Sequence, residues 1–129
     1  MRKIIGSAGP WEDRYGYSRA VASGPHLWIA GCTSVVDGEL VHEGDAAAQT
    51  RVAVDVARRA IETAGFDLAD VVRTRMYVVD LPRDGDAVAT VHGEIFRDVR
   101  PASTLLGVAA LLDPRMLVEV EVECYREPS

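Results

Sequence analysis

A chain of 129 residues with 48% hydrophobic and 26% charged side chains has the composition of one folded domain, too short for two and too apolar for disorder. Its net charge of −6 argues against a nucleic-acid partner, because such surfaces are built on basic patches, and no apolar run approaches the roughly 20 residues that a membrane helix requires. The opening Met1 to Ser7 turns polar too quickly for a secretory leader, so Cys32 and Cys124, which lack metal or redox spacing, are expected as reduced thiols in a cytoplasmic protein.

Short strands are predicted over residues 3–5, 19–23 and 26–32, with a hairpin turn at Ser23-Gly24-Pro25 and another turn at Asp37-Gly38. Residues 45–64 read as the strongest helix: Ala53, Val56, Ala57, Ala60, Ile61 and Ala64 recur at helical spacing between a capping Asp45 and Gly65. A strand follows over 71–80. A second helix is predicted over 86–99, with Val88, Val91, His92, Ile95, Phe96 and Val99 on one face. Strands over 104–110 and 117–125 flank a turn at Asp113-Pro114. The predicted architecture is α+β: a single domain over residues 1–129, with one sheet and both helices laid across one of its faces.

Alternation assigns residues to the two faces of that sheet. In the strand after the first helix, Val72, Thr74, Met76 and Val78 share a side, opposite Arg73, Arg75 and Tyr77. In the last strand, Val118, Val120, Val122 and Cys124 oppose Glu119, Glu121 and Glu123. An antiparallel sheet with one wet face carries such charges without further purpose. Two strands are apolar on both sides, however: Leu27 to Cys32 and Leu105 to Ala110. Helices on one face leave their second apolar row uncovered, so another copy of the chain is expected there. Charges beside such an interface would be partly desolvated, where pKa values shift.

Phosphate-binding glycine loops, zinc-protease helices and nucleophile-elbow patterns are absent from the sequence; neither a metal nor a cofactor is expected. The chemical candidates are single residues. Glu119 and Glu121, two apart on one strand face, could activate water or move a proton, or form a solvated acidic edge. Arg73 and Arg75 could grip a carboxylate or pair with those glutamates, and Arg100 is a third cation. His92 on an apolar helix stripe is a proton donor or a core residue. Cys32 is a small buried hydrophobe or, less simply, a nucleophile, although no histidine neighbours it in sequence to activate it.

Several segments, in this order, resemble one family: Gly16-Tyr17-Ser18-Arg19-Ala20-Val21, Trp28-Ile29-Ala30-Gly31, Gln49, Ala64-Gly65, Val72 to Val78, Pro101-Ala102 and Val118-Glu119-Val120-Glu121. Together they are similar to the Rid family (YjgF-like proteins, the reactive-intermediate imine deaminases) over nearly the whole chain. The resemblance implies a chorismate-mutase-like fold of the bacillus type and a homotrimer with ligand clefts between subunits. It also implies hydrolysis of a reactive enamine or imine to a keto compound and ammonia. In deaminating members an arginine directly after the Pro-Ala pair holds the substrate carboxylate; here that position is Ser103. The chain is closer to subgroups without this arginine, through Arg73-Thr74-Arg75, His92-Gly93-Glu94 and Arg100-Pro101-Ala102. On this resemblance Glu119 positions water or shuttles a proton, Arg75 anchors the substrate and His92 donates a proton. Tyr17, Gly31, Cys32, Arg100 and Ser103 are the expected substrate contacts. A non-catalytic metabolite binder is the alternative, and an RNA-directed ribonuclease or translation inhibitor the more distant one.

Overall fold

The computed structural model describes residues 2–7 and 9–128. Its elements run in the order β1 (Arg2–Ile5), α1 (Trp11–Tyr15), β2 (Ala20–Ser23), β3 (His26–Cys32), β4 (Val35–Val36), β5 (Glu39–Leu40), α2 (Ala46–Thr63), β6 (Val71–Val78), α3 (Leu81–Phe96), β7 (Ala102–Gly107) and β8 (Val118–Tyr125). Six strands form one sheet in the order β1-β2-β3-β8-β6-β7, and β4 pairs with β5 as a separate two-stranded ribbon around the Asp37-Gly38 turn. All neighbours in the large sheet are antiparallel except β6 and β7, which α3 joins as a parallel crossover. The last strand of the chain, β8, therefore lies near the middle of the sheet.

Both long helices lie on one face, as the spacing of their apolar residues demands. Asp45 caps α2 by accepting a hydrogen bond from the Ala48 amide, and the stripe Ala53, Val54, Ala57, Ala60 and Ile61 is buried. The small alanines let α2 approach the sheet closely. Against them the β8 row Val118, Val120, Val122 and Cys124 is buried throughout, while Glu119, Glu121 and Glu123 alternate on the other side. Gln49 is one of the polar side chains fully buried in this core, with Ser34, Thr50 and Thr74. Its amide donates to the carbonyls of His42 (3.1 Å) and Arg115 (3.0 Å) and accepts from the Leu117 amide at 2.9 Å, tying α2 to the approach to β8.

Three local expectations are corrected. The second helix begins at Leu81 rather than residue 86: Asp80 caps it through the Arg83 amide, and Pro82 sits in the first turn, where its missing N–H costs nothing. Gly85, which reads as a breaker, is buried inside α3 and allows close contact with Leu81 and Leu105. The strand expected over 104–110 spans Ala102–Gly107, drawn forward by pairing with β6. Finally, Val72 does not join the buried row. The β6–β8 register shifts between Val71 and Arg73, so Val71 is buried and Val72 is 48% exposed.

Candidate active site

The face of the sheet not covered by α2 and α3 carries the charged candidate residues. Register sets Arg73 opposite Glu123, Arg75 opposite Glu121 and Tyr77 opposite Glu119, so β6 and β8 present a two-row lattice of acids facing basic and phenolic groups. Arg75 Nη1 lies 3.2 Å from Glu121 Oε1 and 3.5 Å from Glu123 Oε1. The Tyr77 hydroxyl donates to the same Glu121 oxygen at 3.1 Å, and burial together with that acceptor raises the Tyr77 pKa. Arg73 reaches the other way and donates to Thr104 Oγ1 of β7 at 2.7 Å. Arg75 is thus engaged by two carboxylates, which is the ion-pairing alternative of the sequence reading.

Glu119 differs from its two neighbours on β8. Among the described residues it has neither an ion pair nor a hydrogen bond, although it is more than half buried. Its carboxyl group lies over Gly31, in the space a β-carbon there would occupy. Burial raises the Glu119 pKa; Arg19 works against that shift and Glu121 adds to it. The backbone makes room for this arrangement because the β3–β8 register shifts between Ile29 and Cys32. Arg19, in the loop before β2, supports the irregular stretch: its Nη1 donates to the carbonyls of Gly31 at 2.6 Å and Ala30 at 3.2 Å. Arg19 Nε is buried without a partner. The Arg19 charge is near enough to the Glu119 carboxylate to oppose the effect of burial.

Tyr17 is exposed and lines an open depression of about 410 Å³ together with Arg2, Gly16, Val21, Trp28 and Glu121. The remaining candidates fall elsewhere. Cys32 pairs in register with Val120 and belongs to the core; burial lifts its thiol to about 11, so it is protonated at neutral pH. Arg100 is exposed at the end of α3, with φ at 55°, in the left-handed region that few non-glycine residues adopt. His92 and Ser103 lie on the helix-covered side of β6 and β7, joined there through Thr74. Within one chain the expected residues therefore form two groups on opposite faces, with Glu119, Gly31, Tyr17 and Arg75 on one, and His92 and Ser103 on the other. Arg19 and Thr74 were not singled out from the sequence. Nothing in spacing marks Arg19, whereas Thr74 is the lone hydroxyl in an apolar strand row.

Apolar side chains surround the charged lattice. Trp28, stacked on His26 with ring centroids 5.3 Å apart, is 43% exposed, and Leu106 on β7 is 45% exposed. Ile4, Val21 and Trp28 continue the same row across β1, β2 and β3. The second apolar face expected of β3 and β7 is present and open in the single chain.

Residues 11–125 match the family model described as Endoribonuclease L-PSP. An uncharacterized protein of Streptomyces coelicolor is 44% identical over 122 residues, which is 95% of this chain and 90% of that protein. A 3-aminoacrylate deaminase RutC of Acinetobacter baylyi is 34% identical over 84 residues, 65% of either chain. Among solved structures, Rv2704 of Mycobacterium tuberculosis, described as a member of the highly conserved YjgF/YER057c/UK114 family, superposes with a TM-score of 0.88 at 41% identity. That match covers 98% of this chain and 100% of the other.

Proposed function

This chain belongs to the endoribonuclease L-PSP family, whose members also go by YjgF, RutC and Rid, and from that premise we propose that it hydrolyses a reactive imine or enamine to a carbonyl compound and ammonia. Glu119 carries the reading. Among the described residues it is the β8 glutamate without an ion pair or hydrogen bond, it is half-buried, and burial holds its pKa above the ordinary carboxylate value. Such a carboxylate, once ionised, accepts a proton from water as the water adds to the C=N carbon. Returned to the imine nitrogen, that proton completes the carbinolamine, whose hydroxyl proton then passes by way of the carboxylate to the nitrogen as ammonia leaves, so water and imine balance carbonyl and ammonia. Gly31 lies directly against its carboxyl group, and Tyr17 lines a depression with Glu121, the next glutamate of the same row. The open row of Ile4, Val21 and Trp28 supports a cleft between copies of the chain, with a homotrimer as the expected assembly.

The test is ammonia release from freshly generated imines, comparing the parent with Glu119→Gln. We expect loss of about a hundredfold or more in kcat, and in the parent a rate that falls as pH drops through the raised Glu119 pKa. Equal rates in the two proteins would overturn the assignment. The ribonuclease activity in the family description is disfavoured here by the net charge of −6; salt-sensitive binding of RNA would restore it.

A further inference from the structure

Three polar side chains form an unbroken hydrogen-bonded chain on the helix-covered side of the sheet. His92 Nε2 of α3 lies 2.8 Å from the Thr74 hydroxyl of β6, which lies 2.8 Å from Ser103 Oγ of β7. Thr74 is fully buried and Ser103 is exposed, so the chain starts in the core and ends at solvent. Parallel register places the two hydroxyls side by side, and α3, the crossover between these strands, sets the imidazole over them. Burial alone lowers the His92 pKa, which keeps the ring neutral at pH 7. Glu94, two residues further along α3, is committed to Arg51 of α2 at 2.7 Å. Among the described residues the hydrogen-bond partner of the imidazole is the Thr74 hydroxyl, and Phe96 lies beside it with ring centroids 4.7 Å apart.

A hydroxyl has one hydrogen to give, so the two bonds set each other's direction. With a hydrogen on Nε2, His92 donates to Thr74, Thr74 donates to Ser103, and Ser103 keeps its own hydrogen for an outside acceptor. With Nε2 bare, Thr74 donates to it, Ser103 donates to Thr74, and only Ser103 lone pairs face outward. The tautomer of a half-buried imidazole thereby sets the polarity of an exposed hydroxyl two hydrogen bonds away, by way of Thr74.

We propose that Ser103, facing a neighbouring copy's Glu119 across the proposed cleft between copies, binds the uncharged, hydrogen-bonding end of the ligand, an imine nitrogen or carbonyl oxygen rather than a carboxylate, and that Thr74 and His92 are positioning residues that match its polarity to that group. A carboxylate here would meet a neutral hydroxyl, a weaker partner than a cation. The β6 arginines are on the opposite face, Arg73 held by Thr104 and Arg75 by Glu121 and Glu123. The identity of the substrate rests on the imine-hydrolase reading; the hydrogen-bonded chain does not.

The experiment has two arms. In the first, ammonia release is measured on a matched pair: the imine that a flavin amine oxidase makes from 3-methylbutylamine, and the 2-imino acid that an amino-acid oxidase makes from leucine. The parent should favour the neutral imine, and Ser103→Ala should lower its kcat/KM about five- to tenfold with little change for the 2-imino acid. Preference of the parent for the 2-imino acid, or equal losses on both, overturns the proposal. In the second arm, which needs no turnover, ¹⁵N resonances of His92 are followed while acetamide or acetate is added. Acetamide should move the Nε2 resonance in the parent but not in Ser103→Ala or Thr74→Val, and acetate should not. Silence toward acetamide, or an equal response to acetate, sinks the proposal even if imines are hydrolysed. A response to acetamide without turnover of either imine retains Ser103 as a neutral-group site and removes the hydrolase reading alone.

Discussion

The two faces of one sheet are built from alternate residues of the same strands, yet they are held by different physics. On the covered face, Val118, Val120 and Val122 are packed under helices and the few polar groups, Gln49 and Thr74, are hydrogen-bonded. On the open face, Glu119, Glu121 and Glu123 confront Arg75 and Tyr77 across the register, and Trp28 and Leu106 lie uncovered. The first face stabilises the monomer by burial; the second adds little to the monomer because its ion pairs are a third exposed. The contrast teaches that packed core and partly exposed charge are divided by strand parity: moving one residue along β8 exchanges a buried valine for a partly exposed glutamate.

That division can be broken by substitution. Phe96→Ala, which empties a buried site beneath α3, should cost about 3–5 kcal/mol in urea unfolding. A cost under about 1 kcal/mol would mean the covered face is not the main source of stability. Trp28→Glu, one position from the buried Leu27 and Ile29, should leave circular dichroism intact and shift sedimentation toward the monomer. An unchanged sedimentation coefficient would place any self-association elsewhere. Glu121→Gln, which weakens the contacts to Arg75 and Tyr77, should cost no more than about 0.2–1 kcal/mol. A larger loss would show that the open face also supports the fold.

Much of this was legible in the residues. The alternation in β8 identified both faces correctly, and the doubly apolar β3 and β7 correctly signalled an uncovered row, because period-2 patterns survive wherever the ladder is regular. Reading failed where it is not. The register shift at Val71 and Arg73 moved Val72 out of the buried row, and Pro82 with Gly85 hid the first turn of α3 because both look like breakers away from a cap. The two-faced distribution of the candidate residues was also hidden. His92 and Ser103 are 11 positions apart, and only the parallel pairing of β6 with β7 brings them together through Thr74. Arg19 holds the Ala30 and Gly31 carbonyls of β3 and brings its charge near Glu119 of β8, 100 positions away, an arrangement with no linear signature.

The place of β8 in the strand order has a consequence for synthesis. Since the strand that joins β3 to β6 is the last of the eight, β1-β2-β3 and β6-α3-β7 emerge from the ribosome as two fragments with no shared hydrogen-bonded neighbour. Neither fragment can complete the sheet until Val118–Tyr125 is available, so closure depends on contacts distant in sequence and is slow by topology. A nascent chain stalled before Val118 would leave β3 and β6 with unpaired edges, the state in which strands of other chains can add.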